Sequence, residues 1–98
     1  MTINKSSDNG KLSLELIGRL DTTTAPALEN EIKQSIDGVN ELEFDFKQLE
    51  YISSAGLRVL LGAQKTMNKQ GTMVIRNVGE VIMEIFDITG FSDILSIE

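Results

Sequence analysis

Two stretches of this chain alternate with a period of two, and each lines one side with large apolar residues. In Glu41-Leu42-Glu43-Phe44-Asp45-Phe46 the side chains of Leu42, Phe44 and Phe46 share a face and three carboxylates take the other. In Lys11-Leu12-Ser13-Leu14-Glu15-Leu16-Ile17 the leucines again stand opposite polar residues. Such alternation marks strands buried on one face only, whereas a strand held between two helical layers reads as a continuous apolar run. The sheet is therefore expected to carry helices mainly on one face and to leave the other to water.

Between and after these strands the period lengthens. Ala25, Leu28, Ile32 and Ile36 recur at helical spacing, with hydroxyls at Thr22-Thr23-Thr24 ahead of them, the only proline, Pro26, at the helix start, and Gly38 behind. From Ser54 to about Lys69, Ala55, Leu57, Val59, Leu60, Leu61, Ala63 and Met67 predict a broadly apolar helix closed by Gly71. Thr72-Met73-Val74-Ile75-Arg76 reads as a strand, and Val78, Val81, Ile82, Ile85 and Phe86 as a third helix ending at Gly90. Residues 2–5 pair with the first long strand through a hairpin at Asp8-Asn9-Gly10, and Ser92-Asp93-Ile94-Leu95-Ser96-Ile97 is a candidate for a last short edge strand. The expected fold is α/β, a mixed sheet of four to five strands in the order β-β-α-β-α-β-α. With 98 residues, 41% of them hydrophobic, and no linker or repeat, residues 1–98 read as one domain.

The composition excludes several functions. The chain has no Cys and no His, so it can form neither a Cys/His zinc site, a disulfide, nor a Ser-His-Asp triad, and it lacks the usual neutral-pH general base. No catalytic residue, metal or cofactor is expected. A net charge of −6 and 5% aromatics argue against nucleic acid as a partner. No apolar run is long enough to span a bilayer, and Met1-Thr2-Ile3-Asn4-Lys5 does not resemble a signal peptide, so a cytoplasmic domain that does not meet the membrane is expected.

Strands linked by helical crossovers run parallel, which sets three strand-to-helix turns along one sheet edge, where open α/β sheets present their ligand surfaces. They begin at Leu20-Asp21, Gln48 and Asn77. If the first two parallel strands are neighbours, Asp21 and Ser54 come close together. Ser53-Ser54-Ala55-Gly56-Leu57 sets two hydroxyls and small residues at a helix start. One serine can simply cap the helix and Gly56 relieve crowding. Alternatively the loop is a phosphorylation site, because a helix N-terminus tolerates the added charge of about −1.5 to −2. Asp21 can present Ser54 or merely start its helix, Arg58 can contact a partner or stay solvated, and Thr22 and Thr23 are capping residues near the same rim.

Taken in order, Gly18-Arg19-Leu20-Asp21-Thr22, Phe44-Asp45-Phe46-Lys47-Gln48-Leu49, Tyr51-Ile52-Ser53-Ser54-Ala55-Gly56-Leu57, Val78-Gly79, Ile85-Phe86 and Gly90-Phe91 resemble the STAS-domain anti-sigma factor antagonists of bacteria. The resemblance runs across nearly the whole chain. It implies a STAS-like fold and a partner switch, in which the unmodified antagonist binds an anti-sigma factor that is also a GHKL-type serine kinase. Phosphorylation releases the antagonist, and a PP2C-type phosphatase resets it. The family's acceptor is the first hydroxyl of an Asp-Ser-(Ser/Thr/Ala)-Gly-Leu pattern, which falls on Ser54. Ser53 stands where sporulation-type members carry Asp, which makes it a second, less favoured acceptor. The resemblance and the edge position together mark Asp21, Thr22, Thr23, Ser53, Ser54, Gly56 and Arg58 as partner-binding residues of a protein that is monomeric when free. The competing expectation is a STAS adaptor unconnected with sigma factors, or a structural subunit of a larger complex such as a lipid-transport machine, without regulatory phosphorylation. A hydrolase using Ser54 fails for want of a base, since Lys65 lies about three helical turns away.

Overall fold

A computed structural model describes residues 1–98. The chain forms β1 (Thr2–Asp8), β2 (Lys11–Leu20), α1 (Ala25–Ser35), β3 (Glu41–Asp45), β4 (Leu49–Ile52), α2 (Ser54–Gln70), β5 (Thr72–Arg76) and α3 (Glu80–Thr89), followed by a 3-10 turn at Phe91–Asp93. The sheet order is β1-β2-β3-β5, with β4 paired to the far end of β2. Only β1 is antiparallel to its neighbour; the others run parallel, with α1 and α2 as crossovers, while β4 follows β3 directly and continues along the far end of β2.

Local chemistry accounts for the main features. The β1-β2 hairpin turns on Asn9 and Gly10, both at positive φ (47° and 83°), the pair of conformations that a two-residue hairpin turn needs. Leu12, Leu14 and Leu16 on β2, Leu42 and Phe44 on β3, and Met73 and Ile75 on β5 are buried under the helices. Leu28 and Ile32 of α1, Leu60 and Met67 of α2, and Ile82 and Phe86 of α3 complete a core cluster of 24 residues. The opposite face carries Glu15, Glu43, Asp45 and Arg76 and is covered by no helix, as the alternation predicts.

Several details differ from the sequence expectations, beginning with β1, which runs to Asp8 and not only over residues 2–5. Leu49–Ile52 is a strand, not part of a loop: at Gly18 (φ 106°) β2 bulges, the Gly18 N–H reaches the Gln48 carbonyl at 3.0 Å, and β2 then pairs with β4 over residues 18–20. The C-terminal segment forms a 3-10 turn and a single parallel bridge, Ile75 to Ile97, rather than a strand over 92–97. On α3 only Ile82 and Phe86 are buried, and Val81, expected in the core, is 59% exposed.

Candidate functional site

The ends of β2 and β4 bring the two expected loops together. Arg19 and Leu20 pair with Tyr51 and Ile52, and the Ser53 N–H donates to the Leu20 carbonyl at 2.9 Å. Asp21 and Ser54 therefore each follow directly on a residue of the same hydrogen-bonded pair.

Asp21 braces the turn that leads into the first helix, whose N-cap position is Thr24. Its Oδ1 accepts from the Thr23 N–H at 3.0 Å, the Thr24 N–H at 3.2 Å and the Thr23 hydroxyl at 2.8 Å. The Thr24 hydroxyl meanwhile donates to the Arg19 carbonyl at 2.9 Å and accepts from the Asp21 N–H at 2.8 Å. Thr24 thus holds the expected N-cap position, but its hydroxyl caps no helix amide; the Thr23 and Thr24 hydroxyls instead tie the turn to Asp21 and Arg19. Hydrogen bonding from the Thr23 hydroxyl, and then from the Thr23 and Thr24 amides, holds the Asp21 carboxyl below its ordinary value, so it is a fixed negative charge at neutral pH.

At the second loop the two serines separate. Ser53 is the extended N-cap residue of α2, and its Oγ is buried without a hydrogen-bond partner. Ser54 is the first residue of the helix and is exposed. Gly56, expected at the partner surface, is buried instead: a Cβ there would lie 2.7 Å from Leu20 Cγ and 2.9 Å from Ile52 Cγ1. Its small size lets α2 start hard against the end of β2. Of the remaining expected residues, Thr22 and Arg58 both line a hollow of about 230 Å³ between the starts of α1 and α2, together with Ala25, Pro26, Glu29, Ala55 and Val59. Thr23 is exposed beside it but does not line it.

Arg19 joins this edge without any signal in the sequence that marks it. Its guanidinium lies 4.4 Å from the centre of the Tyr51 ring and 3.9 Å from Asp21 Oδ2. That contact depends on a cross-strand register that only the Gly18 bulge sets. No group of His, Cys, Asp and Glu side chains is placed to hold a metal ion. No helix is long and apolar enough to cross a membrane.

The sequence profile of the STAS domain matches residues 2–98. The chain is a STAS domain. Among curated relatives, the anti-sigma-B factor antagonist of Listeria monocytogenes is 31% identical over 96% of this chain and 84% of its own length. That of Bacillus subtilis is 28% identical over 99% and 90%. These matches bear out the resemblance to the anti-sigma factor antagonist family. Among solved structures, the antagonist SpoIIAA in its unphosphorylated form covers 99% of this STAS domain and 87% of its own chain, with a TM-score of 0.79 at 16% identity. The phosphorylated form of SpoIIAA from Bacillus gives 0.78 at 17% identity over 99% and 91%. The STAS fold expected from the sequence is thus the observed one.

Two further carboxylates of the domain are held below their ordinary range. Glu43 is lowered mainly by a hydrogen bond from Lys11, whose Nζ lies 3.0 Å away, and also by the charge of Arg76. Asp45 is lowered by the Asn77 side chain at 3.0 Å and the Lys47 amide at 3.0 Å. A carboxyl depressed by folding contributes stability above its unfolded value, here 3.8 for Asp and 4.5 for Glu, and loses it as pH falls through the folded value. Thermal denaturation should therefore give a Tm that is steady down to about pH 5 and drops below about pH 4. Asp45→Asn should flatten part of that drop; a wild-type Tm unchanged at pH 3 would contradict the assignment.

Proposed function

We propose that this STAS domain is an anti-sigma factor antagonist working by partner switching, with Ser54 as the phosphoacceptor. Unmodified, the edge formed by Asp21, Thr22, Thr23, Ser54 and Arg58 binds an anti-sigma factor that is also a GHKL-type serine kinase. Phosphorylation of Ser54 ends the contact, and a PP2C-type phosphatase restores it. The domain acts in the cytoplasm, monomeric when free, as a binding module and not as an enzyme.

The observation that carries this reading is the contrast between the two serines. An acceptor must reach a kinase active site, and Ser54 is exposed whereas the Ser53 hydroxyl is buried. Two physical arguments support the rest. A phosphate on the first residue of α2 is favoured by the helix N-terminus, so the fold can hold the charge. The same charge would arise on the residue after Ser53, whose N–H bonds the carbonyl just ahead of the ionised Asp21, and it would meet any acidic group of the partner, where like-charge juxtaposition costs several kcal/mol. The near-equal match to both forms of SpoIIAA supports a switch that leaves the STAS fold in place.

Incubation with a cognate GHKL-type kinase and ATP should add one phosphate, which peptide mass spectrometry should place on Ser54 and which Ser54→Ala should abolish. Phosphate found on Ser53 or elsewhere in the Ser54→Ala protein would overturn the acceptor assignment.

A further inference from the structure

We infer that Arg58 is the intramolecular partner of a phosphate on Ser54, so that the modified residue is held along α2 and not left free in solvent. The inference rests on the phosphoacceptor reading above. Ser54 and Arg58 are both exposed residues of α2, four positions apart. That spacing sets their side chains over one another on one helix face, with the acidic group on the N-terminal side, the more favourable order for an ion pair.

Arg58 is also an unpaired cation at this edge. It makes no ion pair or side-chain hydrogen bond in the unmodified protein. Arg19, the other nearby arginine, is already stacked on Tyr51 and drawn toward Asp21. Glu29, the carboxylate lining the same hollow as Arg58, is paired with Lys33 at 3.6 Å. A cation near the start of a helix opposes the helix dipole, so Arg58 is poorly placed until an anion arrives. Its guanidinium can then take two phosphate oxygens through parallel hydrogen bonds, a geometry that a lysine cannot reproduce. Arg58 thus favours the dianion while Asp21, on the other side of the loop, disfavours it. Phosphorylation should consequently tighten the start of α2 instead of loosening it.

The test uses the full chain with phosphoserine installed synthetically at position 54, so that no kinase or partner is involved. The phosphorus chemical shift, followed against pH, reports the second ionisation of the phosphate, ordinarily near pH 6. Arg58→Gln should raise that midpoint by about 0.3 pH, the equivalent of one i,i+4 ion pair, and Arg58→Lys should recover only part of it. Phosphorylation should also raise the Tm of the wild-type chain more than that of Arg58→Gln, whereas without phosphate Arg58→Gln should melt at or slightly above wild type. Identical phosphate titrations in all three proteins would overturn the inference. If instead the titrations differ as expected but a cognate kinase leaves Ser54 unmodified, the partner-switch reading fails and the Arg58 contact stands.

Discussion

Ser54→Asp is expected to weaken binding to a cognate anti-sigma factor by about ten- to a hundredfold, while Ser54→Ala keeps the wild-type affinity. The substitution adds one negative charge at the first residue of α2, where the adjoining loop holds an Asp21 carboxylate already ionised by its hydrogen bonds to Thr23 and Thr24. Helix N-termini favour acidic side chains, so the fold bears the change, and the cost falls on the complex. Alanine at the same exposed position removes a hydroxyl that makes no hydrogen bond within the chain and adds no charge. Calorimetric titration of the three proteins, with circular dichroism to confirm equal folding, separates the electrostatic effect from a structural one. Equal affinities for all three would remove Ser54 from the interface.

Gly71→Ala is expected to destabilise the fold by about 3 kcal/mol, or roughly 15 °C in Tm for a chain of this length. Its backbone is extended (φ 170°, ψ −136°), a conformation open to any residue, so space is the reason for glycine here. A Cβ would overlap the backbone of Asn40, its carbonyl oxygen first. That carbonyl cannot move aside, because it accepts from the Thr72 N–H at 3.0 Å while the Asn40 N–H is tied to Gly10 at 2.8 Å. The contact joins the end of α2 to the start of β3, so strain there reaches the sheet. Gly62→Ala is the matching control: Gly62 lies inside α2, exposed, with nothing within 4 Å of an added Cβ, and the change should stabilise by about 0.5–1 kcal/mol. Thermal melts of both variants check the pair; a Gly71→Ala protein as stable as wild type would refute the steric account.

The parts of the fold legible in the sequence are those written in periodicity. Leu12, Leu14 and Leu16 and then Leu42, Phe44 and Phe46 expose the one-sided sheet, because burial on a single face forces alternation. Strand β4 was not legible: its buried residues, Leu49 and Ile52, stand three apart, and its pairing depends on the bulge at Gly18. Val81 and Ile82 are indistinguishable by hydropathy, and only packing against the sheet decides that Ile82 goes in and Val81 out. At the site, the small-residue loop and its hydroxyls were visible, and so was the meeting of Asp21 with the second loop. Which serine faces water was not visible, because Ser53 and Ser54 are adjacent and identical in chemistry; the helix start sets one Oγ inward and leaves the other exposed. Of the two roles the sequence leaves open for Gly56, partner contact and relief of crowding, the packing against Leu20 and Ile52 favours the second.

The central claim is that charge on the Ser54 oxygen, with the fold unchanged, decides whether the partner stays bound. Titrating a cognate anti-sigma factor into the domain carrying serine or phosphoserine at position 54 tests it most directly. Affinity should be at least about a hundredfold lower for the phosphorylated protein, with the circular dichroism of the free domain unaltered. Equal affinity for the two forms, or a loss of affinity that accompanies unfolding of the phosphorylated domain, would contradict it.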